Sequence, residues 1–249
     1  MHMKKSDEGS ETNPDPVSRA PSRKRTIASK EAKSVGAPTR PTKRRRSPEE
    51  VQARILAAAV AEFAEHSFSG ARIDRISKRA KTVDRMLYYY FGSKERLYQA
   101  VLEHSYAELI AAQRSFEFDA SDPVQGMREL ISHSWNHYLH HPQLVRLLVT
   151  ENLLRAKYLK KSSKIKGTLM PLMERASSVL AAGQQAGVFR RDADPQRILM
   201  TVMSLGFFYL SNQFTTAHWL EVDLMEPARL QAWEKHICDV VLDHLTHGA

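Results

Sequence analysis

From Ser47 onward the apolar positions recur with the 3.6-residue period of helices, and no stretch alternates long enough to read as a strand. Ser47-Pro48-Glu49-Glu50 combines a capping serine, proline at the first helical position and glutamate three residues after the cap, so a helix begins there. Its buried stripe is Ile55, Ala59 and Phe63, with Leu56 and Val60 alongside, and Ser67 to Gly70 break it. Ile73 and Ile76 begin a short second helix ending near Ala80. Val83 to Tyr89 make a third of about two turns, and Ser93 caps a long fourth through Leu97, Val101, Leu102, Tyr106 and Leu109. Asp122-Pro123, His141-Pro142, Asp194-Pro195 and Glu226-Pro227 each place proline at a helix start. The pattern predicts an all-α protein of about nine helices: a small three-helix head and a larger helical body.

Charge separates a tail from this folded part. Residues 1–46 hold 13 Lys and Arg against 5 Asp and Glu, ending in Lys43-Arg44-Arg45-Arg46, while the remainder holds 24 against 23. The tail has almost no large apolar residue to offset its ordering entropy, so it reads as disordered. Beside a DNA-reading domain it would add salt-dependent phosphate contacts; the alternative is a solvated tail without a partner. The single cysteine, Cys238, excludes an internal disulfide and a thiolate zinc cage, which fits a reducing cytoplasm. Ile198 to Leu220 is free of formal charge, but its second half is polar, so no membrane span is expected. The basic N-terminus is not followed by an apolar segment and does not read as a secretory signal.

Residues 71–98 bear the chemistry. Two short helices separated by about three residues are the elements of a helix-turn-helix, whose second helix enters the major groove. That helix would present Asp84, Arg85 and Tyr89 outward and turn Met86, Leu87 and Tyr90 or Phe91 toward the small core. Arg85 suits bidentate pairing with guanine, and Asp84 would accept from cytosine or orient Arg85. Arg72, Lys78, Lys81, Tyr88 and Tyr89 are candidate phosphate anchors. Lys94, in the first turn of the fourth helix, has the free backbone N–H groups and dipole of a helix start beside it.

Arg54-Ile55-Leu56-x-Ala58-Ala59, Phe63-Ala64-Glu65, Ile73-x-x-Ile76 and Leu87-Tyr88-x-Tyr90-Phe91-x-Ser93-Lys94-Glu95-x-Leu97 follow in order and spacing. Through them residues 47–103 resemble the DNA-binding head of the TetR family of bacterial transcriptional regulators. The resemblance implies phosphate contacts at Tyr88 and Lys94, and base reading by Thr82 to Met86 and Tyr89. Three positions depart from that family's pattern: Lys81 replaces the turn glycine, Val83 the serine capping the recognition helix, and Ala71 the hydroxyl residue capping the second helix. Thr82 or Asp84 would then supply the recognition-helix cap.

The likeness weakens past residue 103 but implies a homodimer built from the last two long helices, with residues 104–249 forming an effector-binding and dimerisation domain. Asp194 to Thr215 is apolar on nearly all faces, as in a helix buried on more than one side. Val202, Leu205 and Phe208, with Val241 and Leu245 of the last helix, are the candidate interface, and Gly206 would admit another backbone. The same stripes would equally serve a monomer core. Candidate effector contacts are Trp135, His137 and Tyr138, then Glu151, Asn152 and Arg155, then Tyr209, Asn212 and Gln213. Asn152 and Arg155 are the preferred pair, Arg155 for a carboxylate, although any one of these residues would serve as well in local pairing or core. His141 to Leu153 resembles a subgroup of TetR regulators of small nitrogen or aromatic compound catabolism, nicotinate included, which favours a small effector, anions among them.

His133, His137, His140 and His141 share helix faces with Glu129, but His141 precedes proline and no cysteine is near, so no metal or other cofactor is expected. No GxSxG, HExxH or phosphate-cradling glycine loop is present, and no enzyme is expected. The reading is a cytoplasmic, nucleoid-associated homodimeric repressor that leaves a pseudo-palindromic double-stranded operator when an effector binds. Its alternative is a less selective, nucleoid-like or activating DNA binder driven by the tail.

Overall fold

The computed structural model describes residues 47–114, 119, 121–167 and 169–246; the predicted disordered tail, with its terminal Lys43 to Arg46 cluster, lies outside them. Among the described residues there are ten α-helices, one 3-10 turn and no strand: α1 Pro48–Gly70, α2 Ile73–Arg79, α3 Asp84–Phe91, α4 Lys94–Arg114, α5 Pro123–His140, α6 Pro142–Leu153, the 3-10 turn Leu159–Lys161, α7 Met170–Gln185, α8 Pro195–Ser211, α9 Gln213–Leu220 and α10 Pro227–Thr246. All four proline-marked starts begin helices. Asp122 and Asp194 cap theirs by accepting from the backbone N–H of Gln125 at 2.9 Å and Arg197 at 2.8 Å. Among the described residues no helix is long and apolar enough to cross a membrane.

The count exceeds expectation because the long apolar segment from Asp194 is two helices. At Asn212 the backbone leaves helical geometry (φ −108°, ψ 10°), and the Asn212 amide donates to the Phe208 carbonyl at 3.2 Å and to the Ser211 hydroxyl at 2.9 Å. A polar side chain that bonds to local groups competes with helix continuation.

Two apolar clusters organise the chain. The first joins Ile55, Ala59, Phe63, Ile76, Leu87, Leu97, Tyr98 and Val101 of α1–α4 with Leu147, Tyr158 and Ile165 from beyond residue 140. The second gathers α5, α7, α8 and α10 around Met127, Leu130, Trp135, Val179, Phe189, Val202, Ile237, Val241 and Leu245. Gly183 leaves room for the Phe189 ring, since an added Cβ would lie 1.9 Å from it. Gly206 works differently from expectation: its Cβ position faces Tyr138 at 3.6 Å and Trp135 at 3.7 Å, ordinary contact with rings of the same chain.

Burial also overturns most of the expected dimer face. Val202, Val241 and Leu245 are 0–2% exposed in a single chain, so they have no surface left for a partner. Leu205 is half-buried. Only Phe208 is exposed, and it shares the outward stripe of α8 with Met200, one helical turn pair away, near exposed Phe214, Trp219 and Leu220 of α9. An all-apolar helix announces burial on several sides without saying which side faces its own core.

Candidate DNA interface and effector site

The head is built around an acidic anchor. The buried carboxylate of Glu62 on α1 accepts from the Arg72 backbone N–H at 3.0 Å and from Arg75 Nε at 2.6 Å, while Arg75 also donates to the Gly70 carbonyl at 2.6 Å. Burial alone would raise this carboxyl group's pKa, but those hydrogen bonds and the Arg75 charge outweigh it and hold it below the ordinary range. This supplies from another helix part of what Ala71 cannot supply as a cap. Glu62 was not singled out from the sequence, although an acidic residue inside the apolar stripe of α1 is the signal that could have found it.

The turn between α2 and α3 keeps a glycine-like backbone without the glycine: Lys81 has φ 52°. The Thr82 N–H donates to the Ser77 carbonyl at 3.0 Å. Neither Thr82 nor Asp84 caps α3; Val83 occupies the cap position without a side-chain bond. Asp84 instead accepts from the Ser77 hydroxyl, which ties the two helices of the motif together rather than orienting Arg85. Met86 packs against the head core and is not on the reading face. That face comprises Arg85, exposed Val83, Tyr88 at 52% and Tyr89 at 76% exposure. Lys78 and Lys81 are exposed beside it. Arg72 is exposed but forks onto Asp74 at 3.0 and 3.3 Å, so its charge is already partnered.

Ser93 starts α4 as expected, its hydroxyl accepting from Arg96 N–H at 3.2 Å. Lys94 is the first residue of α4. Its ammonium lies 4.9 Å from the Phe68 ring centre, and its pKa is lowered chiefly by burial, with Glu95 and Glu62 opposing and Arg75 adding to the shift. An open groove lined by Arg54, Arg79 and Lys81 adds two cations missed in the sequence reading.

The expected effector residues are not brought to one place. Asn152 and Arg155, the preferred pair, are exposed and line neither of the two cavities described below; Arg155 sits in a left-handed turn after α6 (φ 55°) instead of continuing the helix inward. Glu151 is buried but accepts from the Tyr158 and Leu159 N–H groups. Trp135 is core, edge-on to Tyr209 at 5.6 Å. Tyr209 donates to the Leu224 carbonyl at 2.7 Å, and Gln213 to that of Leu210 at 2.9 Å. Asn212 is taken up by the α8–α9 break.

His137 and Tyr138 remain. With Leu109 of α4, His133, Ser134, Leu172 and Met203 they line a void of about 20 Å³, enough for one water. His137 is 7% exposed, and its Nε2 has no hydrogen-bond partner among the described residues. Burial, then the neighbouring His141 and His133, push its pKa down to about 4, so the ring is neutral at physiological pH. His137 and His141 stack at 4.3 Å, and His141 Nδ1 donates to the His137 carbonyl at 2.8 Å. Among the described residues no three His, Cys, Asp or Glu side chains are grouped to hold a metal ion. A larger cleft of about 190 Å³ lies between the α1 end, α5, α6 and the α8–α9 junction, lined by Ser67, Tyr138, Arg146, Thr150 and Gln213 among others.

Residues 55–101 match the family model described as bacterial regulatory proteins, tetR family, and residues 123–241 match the tetracyclin repressor-like C-terminal domain. The chain is 40% identical over 195 residues to the HTH-type transcriptional repressor NicS of Pseudomonas putida, covering 76% of this chain and 89% of that protein. It is 30% identical over 148 residues to the HTH-type transcriptional regulator RutR of Escherichia coli, covering 59% and 68%. Among solved structures, the transcriptional regulator SCO4942 of Streptomyces coelicolor is similar at 27% identity and TM-score 0.57, covering 78% of this chain and 98% of that one. These relatives do not favour the less selective, tail-driven binder. The chain belongs to the TetR family of bacterial regulatory proteins: it is a DNA-binding transcriptional repressor and not an enzyme.

Proposed function

We propose that this repressor acts as a homodimer on a pseudo-palindromic operator, and that a small molecule entering the body around His137 releases it. In this reading residues 47–103 are the DNA-binding domain, 104–249 the effector and dimerisation domain, and 1–46 a tail adding phosphate contacts in the nucleoid. Arg85 and Tyr89 read bases, while Tyr88, Lys81 and Lys94 hold phosphates. Met200 and Phe208 of α8, with α9, supply the dimer face.

The observation that carries the effector site is the unpartnered Nε2 of His137 beside unfilled space. A buried polar atom without a partner calls for one, and a neutral imidazole offers one N–H donor and one lone-pair acceptor. One helix links the two ends of the mechanism: Leu109 of α4 lines the void, and Lys94 begins the same helix about 22 Å away at 1.5 Å per residue. A ligand that opens the void displaces the α4 wall and shifts the head, provided it binds the released state more tightly. A second reading is favoured by Arg146 in the larger cleft, which suits a carboxylate.

Small heterocycles and carboxylates screened by thermal shift, together with release of an operator selected from random duplexes, test this. Effectors should stabilise the wild type and release its DNA, and His137→Leu should lose both responses while still binding operator. A full response in His137→Leu that is lost in Arg146→Ala would transfer the site to the larger cleft. A selected pool with no inverted repeat would overturn the dimeric operator.

A further inference from the structure

The segment after α6, residues 155–166, contains Arg155, Lys157, Lys160, Lys161, Lys164 and Lys166 and no acidic residue. All six are exposed. Beyond residue 46 the chain holds 24 basic and 23 acidic residues, so a quarter of its cations stand in this one loop.

Cations that merely solvate a loop need no fixed backbone, yet this backbone is pinned. Arg155 and Ala156 are both left-handed (φ 55° and 57°), a succession that side-chain-bearing residues rarely adopt. Buried Glu151 holds the reversal by accepting from the N–H groups of Tyr158 at 3.1 Å and Leu159 at 3.0 Å. Tyr158, 3% exposed, then enters the head core against Phe68 and Tyr98, with ring centres 4.8 and 5.1 Å away. From there the loop follows α4. The Lys157 charge acts on Glu95 in the first turn. Gln99 Nε2 donates to the Lys161 carbonyl at 3.5 Å, and Ser162 and Lys164 both donate to Glu103 at 2.8 Å. The loop therefore belongs physically to the head, although it follows the body's α6 in sequence.

Its cations also converge on the start of α4. Lys94 Nζ lies 4.9 Å from the Phe68 ring centre, Phe68 stacks near Tyr158, and Nζ of Lys157 and Lys161 lie 5.2 and 5.6 Å from the Tyr158 ring centre. Three ammonium groups thus surround one aromatic pair. Of the loop's cations, Lys164 alone is in an ion pair among the described residues. Glu95 offsets part of the charge of Lys94 and Lys157, and a row of backbone phosphates would offset the remainder.

We propose that Lys157, Lys160 and Lys161 extend Lys94 into a ridge that binds backbone phosphates of DNA flanking the bases read by α3. This rests on Lys94 facing the phosphate backbone. The operator is then held by the body's chain as well as by the helix-turn-helix, and the footprint extends past the inverted repeat.

The test compares the full chain with the Lys157→Gln/Lys160→Gln/Lys161→Gln variant and with Lys94→Ala. Each is titrated over a salt series on the selected operator with flanking base pairs and on the same operator trimmed to its repeat. An unchanged thermal unfolding midpoint shows that the triple variant folds. On the long duplex the triple variant should lose about tenfold in affinity, and its log–log salt slope should become shallower by about one for each phosphate contact removed. On the trimmed duplex it should approach the wild type. Wild-type affinity and slope on the long duplex, with Lys94→Ala weakened, would overturn the ridge alone. If Lys94→Ala also bound normally, the placement of α4 against DNA would fail with it. A triple variant with a changed base preference would show that the loop reads sequence, which also overturns a phosphate ridge.

Discussion

Two buried polar side chains, one in each half of the molecule, are treated in opposite ways. Glu62 in the head meets a backbone N–H and a guanidinium, and its carboxyl pKa is held below the ordinary value. His137 in the body keeps an unpartnered ring nitrogen, and its pKa is pushed down to about 4. The first group is stabilised in its charged form by a closed set of partners; the second is forced into its neutral form by a setting that offers too few. The contrast is between these two residues and not between the halves as wholes, since Arg54 Nε and the Tyr98 hydroxyl in the head also lack a hydrogen-bond partner among the described residues.

The strongest way to break the contrast is Glu62→Ala. It strands the Arg72 N–H and the half-exposed Arg75, for a cost of about 3 kcal/mol, between the values for exposed and fully buried pairs. Thermal unfolding should show the loss, and operator binding should fall with it; an unchanged midpoint would mean the anchor is incidental. Because the folded pKa lies below the unfolded 4.5, the Glu62 contribution is present above that value and lost as pH falls through the folded pKa. Glu62→Gln should accordingly be less sensitive to acid than the wild type.

Gly183→Ala comes next, at about 2 kcal/mol for overpacking a filled core. Its Cβ would strike the Phe189 ring, so Phe189→Leu should recover part of the loss in a double variant. Additive losses would show that the ring is not the obstacle. The His137 test has the reverse pH logic from Glu62 in mechanism, though not in direction. Between pH 6.5 and about 4 the unfolded histidine binds a proton that the folded one refuses, so wild-type stability falls as pH drops through that window. His137→Leu should flatten that fall, measured as urea midpoints at pH 7 and pH 5. A slope equal to the wild type would mean the ring protonates freely in the fold.

The head was legible because its determinants are local: the Ser47 cap, the stripe through Phe63, the Tyr88 to Lys94 spacing and the Ser93 cap are all read within a few residues. The body's proline starts were legible for the same reason. What escaped depends on how helices meet. Periodicity marked Val202, Val241 and Leu245 as apolar but could not say that their side faces the chain's own core. Arg155 lies one helical turn beyond Asn152 in the sequence, whereas α6 ends at Leu153 and the backbone reverses. The partners of Glu62 and Glu151 could not be named from the sequence because each meets groups 7–13 residues away through space, although local pairing was one of the readings open for Glu151.

The smallest expected effect separates folding from binding within a single residue. Lys81 holds the left-handed turn position at φ 52°, where a side chain costs about 1 kcal/mol relative to glycine. Lys81→Gly removes that strain but also frees the unfolded chain, so the net gain in stability should be a few tenths to about 1 kcal/mol. The same change deletes a cation at the reading face, and operator affinity should fall with a salt slope shallower by about one per protomer. Stability and affinity would then move in opposite directions. If both fell, Lys81 would be holding the turn through contacts of its own; if both rose, its charge would not touch DNA, and the turn would be placed away from the phosphates.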